Sequence, residues 1–153
     1  MPPWNPWDAL RERTDIVVAV RSLPSGVNGA YQARGNRRAI VLATSLDGAG
    51  RTATLAHELV HDERGGGAAF HGQPASWSPV VARDERQVED EVARRLVPPA
   101  DLARLWERAR SLGGTLGPSE VAAAFDVPPS LAAHALELHR TGRRRTRSRA
   151  KRG

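Results

Sequence analysis

The chain has no cysteine. Disulfides and thiolate metal sites are therefore excluded, and any metal site must be built from histidine and carboxylate. No apolar run approaches the roughly 18 residues that read as a membrane-spanning helix, so no membrane partner is expected. The start, Met1-Pro-Pro-Trp-Asn-Pro-Trp-Asp8, has neither the basic residues nor the apolar stretch of a secretory signal, and a cytoplasmic protein is expected. Lysine is nearly absent: Lys151 is the one lysine among 23 basic side chains. Such a bias follows from codon composition more readily than from chemistry, and arginine richness by itself carries no functional weight.

What remains is enough for a globular protein. With 153 residues, 40% of them hydrophobic, the chain fits one compact domain with an appended tail. The net charge of +6 is unevenly spread. Residues 140 to 153 hold eight basic side chains and no acidic one, which leaves 15 basic against 17 acidic residues, a charge of −2, in residues 1–139. The body is thus not a basic nucleic-acid binder, and only the tail offers an electrostatic surface to nucleic acid or an acidic partner.

The most informative stretch is His57-Glu58-Leu59-Val60-His61. On a helix, residues i and i+4 lie one turn apart on one face, so both imidazoles can reach a single metal ion. Glu58 is about 100° around the helix from His57, a position suited to a general base that touches a water without binding the metal. With 5 His in the chain, random placement would yield this spacing in roughly one such chain in a hundred, so the motif needs structural context. A third ligand and an open coordination position must come from elsewhere in the chain.

Before the motif, Trp7 to Arg13 reads as a short amphipathic helix, and Asp15 to Arg21, rich in β-branched residues, as a buried strand. Ala30 to Arg34 and Arg38 to Thr44 read as a hairpin around Gly35-Asn36. Asp47-Gly-Ala-Gly50 breaks the chain, and Arg51 to Asp62 is the motif helix, with Leu55, Ala56, Leu59 and Val60 on its apolar side. A Gly/Pro/Ser-rich loop, Ala68 to Pro79, carries Phe70, His71 and Trp77.

Asp84 to Val97 reads as the next helix, with Glu85, Val88, Glu89, Val92, Ala93 and Leu96 on one stripe. Two carboxylates on an apolar face must meet a cation, either a metal held by His57 and His61 or one of Arg51, Arg94 and Arg95. Pro98-Pro99 ends this helix, Asp101 to Ser111 forms another, and Ser119 to Phe125 with Ser130 to His139 forms a closing helix pair, Ser119 as N-cap. The pair has the look of a helix-turn-helix, but its second helix offers no Arg, Asn or Gln to base edges, so core packing is the better reading. The tail after Thr141 is expected to be disordered.

From about Tyr31 to Leu138 the sequence resembles the ImmA/IrrE metallopeptidases, a zincin-like family. The resemblance is carried by the strand ending Ala39-Ile-Val-Leu42, by Thr54-Leu-Ala-His-Glu-Leu-Val-His61, and by Glu85-Arg-Gln-Val-Glu-Asp-Glu-Val-Ala-Arg-Arg-Leu-Val-Pro98. The closing segment from Val121 through Leu138 is similar to the family's helix pair. Val88, Val92, Glu91 and Val97 depart from the family pattern, which has alanines at the first two positions, an aromatic residue at the third and methionine at the fourth.

The resemblance implies a Zn²⁺ ion held by His57, His61 and Glu85, with Glu89 on the family's Asn/Asp position and Glu58 as catalytic base. It implies an endopeptidase acting on a protein partner, a helix-turn-helix transcriptional repressor in phage, mobile-element or stress regulation. His71 and Tyr31 are candidates for an additional oxyanion donor. The expected architecture is α+β: a small three-stranded sheet packed on a helical bundle that contains the motif helix, then a C-terminal helix pair. A zincin-like domain over 1–139 is followed by a disordered basic tail over 140–153. The alternative is a non-proteolytic metal-binding regulator that acts by binding a repressor or DNA, with Glu89 or His71 closing the fourth coordination position.

Overall fold

The computed structural model describes residues 4–65 and 79–150. Its contacts divide the chain into two compact units, Met1–Val92 and Ala93–Gly153. The loop carrying Phe70, His71 and Trp77 lies outside the described residues.

The first unit opens with α1 (Pro6–Arg11), started by Pro6 at a position that needs no N–H donor and by the Asn5 side chain, which accepts from the Trp7 N–H at 2.9 Å. Three strands follow, β1 (Ile16–Arg21), β2 (Gly29–Arg34) and β3 (Arg37–Ala43). They form one sheet in the order β1-β3-β2, with β1 parallel to β3 and β2 antiparallel to it. The β2–β3 hairpin turns at Gly35, whose φ of +58° lies in the left-handed region that glycine enters without steric cost.

The expected helix of the motif is α2 (Gly48–Glu63). It starts three residues earlier than the glycine-rich sequence predicts, because the Asp47 side chain caps it by accepting from the Gly50 N–H at 2.7 Å. Ile40 and Leu42, two apart on the central strand and so on one sheet face, pack with Ile16, Tyr31, Leu55 and Leu59 into the core of this unit. The Trp7 indole donates to the Thr52 hydroxyl at 3.1 Å, fixing α1 against α2. Helix α3 (Pro79–Leu96) follows, and Val88 and Val92 of its stripe are buried.

The second unit contains α4 (Pro99–Ser111), α5 (Pro118–Phe125) and α6 (Pro129–Ala150) around Leu102, Val121, Ala132 and Leu136. Each of the three helices begins with proline, whose fixed φ suits the first helical position. The expected N-cap Ser119 is corrected: Gly117 holds that position, and the Glu120 carboxylate accepts from its N–H at 3.0 Å. Asp126, at φ 51°, makes the left-handed turn between α5 and α6. The expectation of disorder from residue 140 is also corrected, since α6 continues as helix to Ala150. Among the described residues, no helix is long and apolar enough to cross a membrane.

Candidate metal centre

Residues of α2 and α3 converge at one point. His57 and His61, one helical turn apart, turn their Nε2 atoms toward each other at 3.1 Å, with the rings 4.7 Å apart. From α3, Glu85 brings its Oε2 to 3.4 Å from His57 Nε2 and its Oε1 to 3.2 Å from His61 Nε2. These three side chains form a group able to hold a metal ion.

The separations fit that use. Donors about 2.0–2.1 Å from a tetrahedral ion stand about 3.3 Å from one another, and the three observed distances bracket this figure. At 3.1 Å the two Nε2 atoms can share one proton as a hydrogen bond or, both deprotonated, turn their lone pairs to one cation. The set of two imidazoles and one carboxylate suits zinc and several other divalent ions.

Exposure differs across the group. The His61 side chain keeps 7% of its surface, whereas His57 and Glu85 keep 28% and 29%, so one side of the site is open to solvent. Glu89, the other carboxylate of the stripe, is exposed and does not belong to the group, although its charge acts on His57. The helical stripe alone could not separate Glu85 from Glu89, because residues four apart share a face. The position of α3 along α2 selects Glu85.

Arg64, directly after α2, sets that position. Its guanidinium donates to Asp84 Oδ1 at 2.7 Å and to Gln87 Oε1 at 2.6 Å, so its two partners flank Glu85 in sequence. Arg64 therefore ties the stretch of α3 around Glu85 to the end of the helix that carries both histidines. The sequence gives no periodic signal for such a contact.

Glu58 lies on α2, 3% exposed, beside the first residue of β2. A Cβ built on Gly29 would stand 2.5 Å from Thr54 Cγ2 and 3.1 Å from Glu58 Oε1, so the absence of a side chain at Gly29 is what lets the strand pass this close. Burial raises the Glu58 pKa above the ordinary carboxylate value, against the pull of His57 and His61 in the opposite direction. Glu85 is held well below the usual carboxylate range by His57 and then His61. At His57, burial is the largest single influence and acts downward, but Glu85, Glu58 and Glu89 together outweigh it and raise the pKa.

Tyr31, on β2, reaches the end of α2. Its hydroxyl donates to Asp62 Oδ1 at 2.8 Å, and burial followed by this carboxylate raises its pKa. Asp62, next to His61, also meets Arg38 and lies 3.7 Å from Arg13 Nη1, while Arg38 pairs with Asp15 at the start of β1. The buried Asp62 carboxylate is thereby compensated, and the network fastens the end of α2 to the sheet.

β2 is an edge strand among the described residues. The Ala43 N–H donates to the Asn28 C=O at 2.9 Å, and antiparallel alternation from that pair turns the backbone N–H and C=O of Gly29, Tyr31 and Ala33 away from β3. The outward-facing side of this edge strand therefore begins at Gly29, beside Glu58.

No family model, curated protein or solved structure matches this chain.

Proposed function

We propose that this protein is a zinc-dependent endopeptidase that hydrolyses a peptide bond in a protein partner. The observation that carries the reading is the convergence of His57, His61 and Glu85 on one point, with the buried carboxylate of Glu58 on the next residue of the same helix. A zinc ion held there supplies Lewis acidity, bringing the pKa of water toward about 7 and polarising a carbonyl.

The rest is the work of the chain's own residues. Glu58, ionised, accepts a proton at a carboxylate oxygen from the attacking water and delivers it to the leaving nitrogen. Its burial in an apolar flank of α2 favours the protonated intermediate stage, which matches a group that must both take and give a proton. Glu85 stays ionised and holds the histidine pair in register. The place of β2 at the edge of the sheet, with Gly29 next to Glu58, supports binding of the substrate as an added strand. A helix-turn-helix repressor as the substrate rests on the resemblance to the ImmA/IrrE metallopeptidases, and so does zinc over manganese or iron.

The test is a comparison of wild type with Glu58→Gln, each loaded with zinc and incubated with a peptide library read by mass spectrometry. Cleavage by wild type that falls by a factor on the order of 100 to 10,000 in the variant, with zinc retained, is the expected result. Equal cleavage by both, or zinc lost from the variant, contradicts the base assignment.

A further inference from the structure

The surplus positive charge is confined to one of the two units. Met1–Val92 holds 10 basic and 12 acidic side chains, whereas Ala93–Gly153 holds 13 basic and 5 acidic, a net of +8. Within the second unit the whole surplus follows His139, because no acidic residue occurs after Glu137. The structure puts this segment on a helix: α6 runs unbroken from Pro129 to Ala150 and carries arginine at 140, 143, 144, 145, 147 and 149.

That arrangement costs the helix stability. Arg140 and Arg144, Arg143 and Arg147, and Arg145 and Arg149 are like charges at i, i+4 spacing, each pair unfavourable by a few tenths of a kcal/mol. At about 1.5 Å per residue, the arginines fall within roughly 15 Å of helix, a charge density approaching that of duplex DNA, about one phosphate per 1.7 Å of axis. A polyanion lying along the helix removes the repulsion.

The beginning of the basic segment is anchored. The Arg140 guanidinium stands 5.7 Å over the Trp106 ring, His139 packs on the same ring at 5.4 Å, and Arg143 donates to Glu107 at 2.9 Å. Arg144, next along the helix, is exposed. Arg140 and Arg143 thus meet α4, and no acidic residue occurs in the sequence after Glu137.

We propose that the arginine-bearing end of α6 is a docking site for duplex nucleic acid, held through phosphates and without sequence preference. Composition separates this from other anionic partners. Residues 140–150 contain only Arg, Thr, Gly, Ser and Ala, so no apolar face is available to enter a lipid surface. No aromatic residue is present to stack unpaired bases, which disfavours a single strand. Residues 130–139 offer no Arg, Asn or Gln to base edges, and the arginines that follow are assigned to phosphates. The proposal is independent of the metal centre and survives its failure.

The test uses the full chain and a fluorescent 20-base-pair DNA duplex of arbitrary sequence, with binding followed by anisotropy between 50 and 200 mM NaCl. Four phosphate contacts give a log–log salt slope of about −3.6, so affinity is expected to fall roughly 150-fold across that range. Replacing Arg144, Arg145, Arg147 and Arg149 together with Gln leaves Arg140 and Arg143 in place and is expected to abolish measurable binding. A chain ending after Arg143 is expected to behave alike, which guards against misfolding of the quadruple variant. A second duplex of shuffled sequence should bind within about threefold, as should an RNA duplex of equal length. Absence of binding at 50 mM salt, or a quadruple variant that binds as wild type does, overturns the proposal. Equal or tighter binding to polyglutamate or to phosphatidylserine vesicles overturns it as well.

Discussion

The chemistry of the centre is decided by three side chains and the protons they carry. His57 and His61 can each bind a cation only with Nε2 deprotonated. Burial opposes a charge on His57, but Glu85, Glu58 and Glu89 overcome it, and its pKa lies above the ordinary histidine value. A raised pKa means that protons compete with metal from a pH above about 6.5 downward, so apparent zinc affinity falls as pH falls. Glu85 is held well below the usual carboxylate range by the two histidines and remains ionised throughout, so the loss is assigned to imidazole. A competition titration with a zinc chelator between about pH 8 and 5.5 should show affinity declining toward tenfold per unit once one proton must be displaced. A flat profile across that window contradicts imidazole ligation.

At the scale of elements, the site exists because α2 and α3 are fixed against each other at one register. Arg64 binds both Asp84 and Gln87 and so holds Glu85 opposite the histidine pair. Arg64→Ala should weaken zinc binding by about 10- to 100-fold, the range for partners that orient metal ligands, while the circular dichroism spectrum stays that of wild type. Unchanged affinity would show that packing of Val88 and Val92 sets the register without the clamp. The elements themselves were largely legible. The i, i+4 spacing of His57 and His61 needed only the helix, the β-branched run at Ile16–Val20 identified β1, and the alternation around Gly35 identified the hairpin. The sheet order was not legible, because nothing local distinguishes β1 pairing with β3 from β1 pairing with β2. Asp47-Gly-Ala-Gly50 reads as a break, yet one carboxylate cap turns it into the first turn of α2. The arginine segment reads as disordered by charge, and α6 nonetheless continues through it.

For the whole molecule, the division into two units separates two chemistries. The group of His57, His61 and Glu85 and the neighbouring Glu58 belong to Met1–Val92, while the concentrated positive charge belongs to Ala93–Gly153. Zinc at a hundred times its Kd adds about 2.7 kcal/mol to the stability of whatever structure forms the site. Hydrogen exchange should therefore slow on zinc addition in α2, in β3 beneath it and in residues 82–92 of α3. Exchange unchanged in α2 would mean that the ion binds outside the histidine helix.

The central claim is that His57, His61 and Glu85 form one metal site. Elemental analysis of the purified wild type beside Glu85→Ala and Glu89→Ala tests it most directly. About one zinc per chain is expected in wild type and in Glu89→Ala, with the metal lost from Glu85→Ala. Wild type that takes up no metal after zinc addition, or Glu85→Ala that keeps it, contradicts the account.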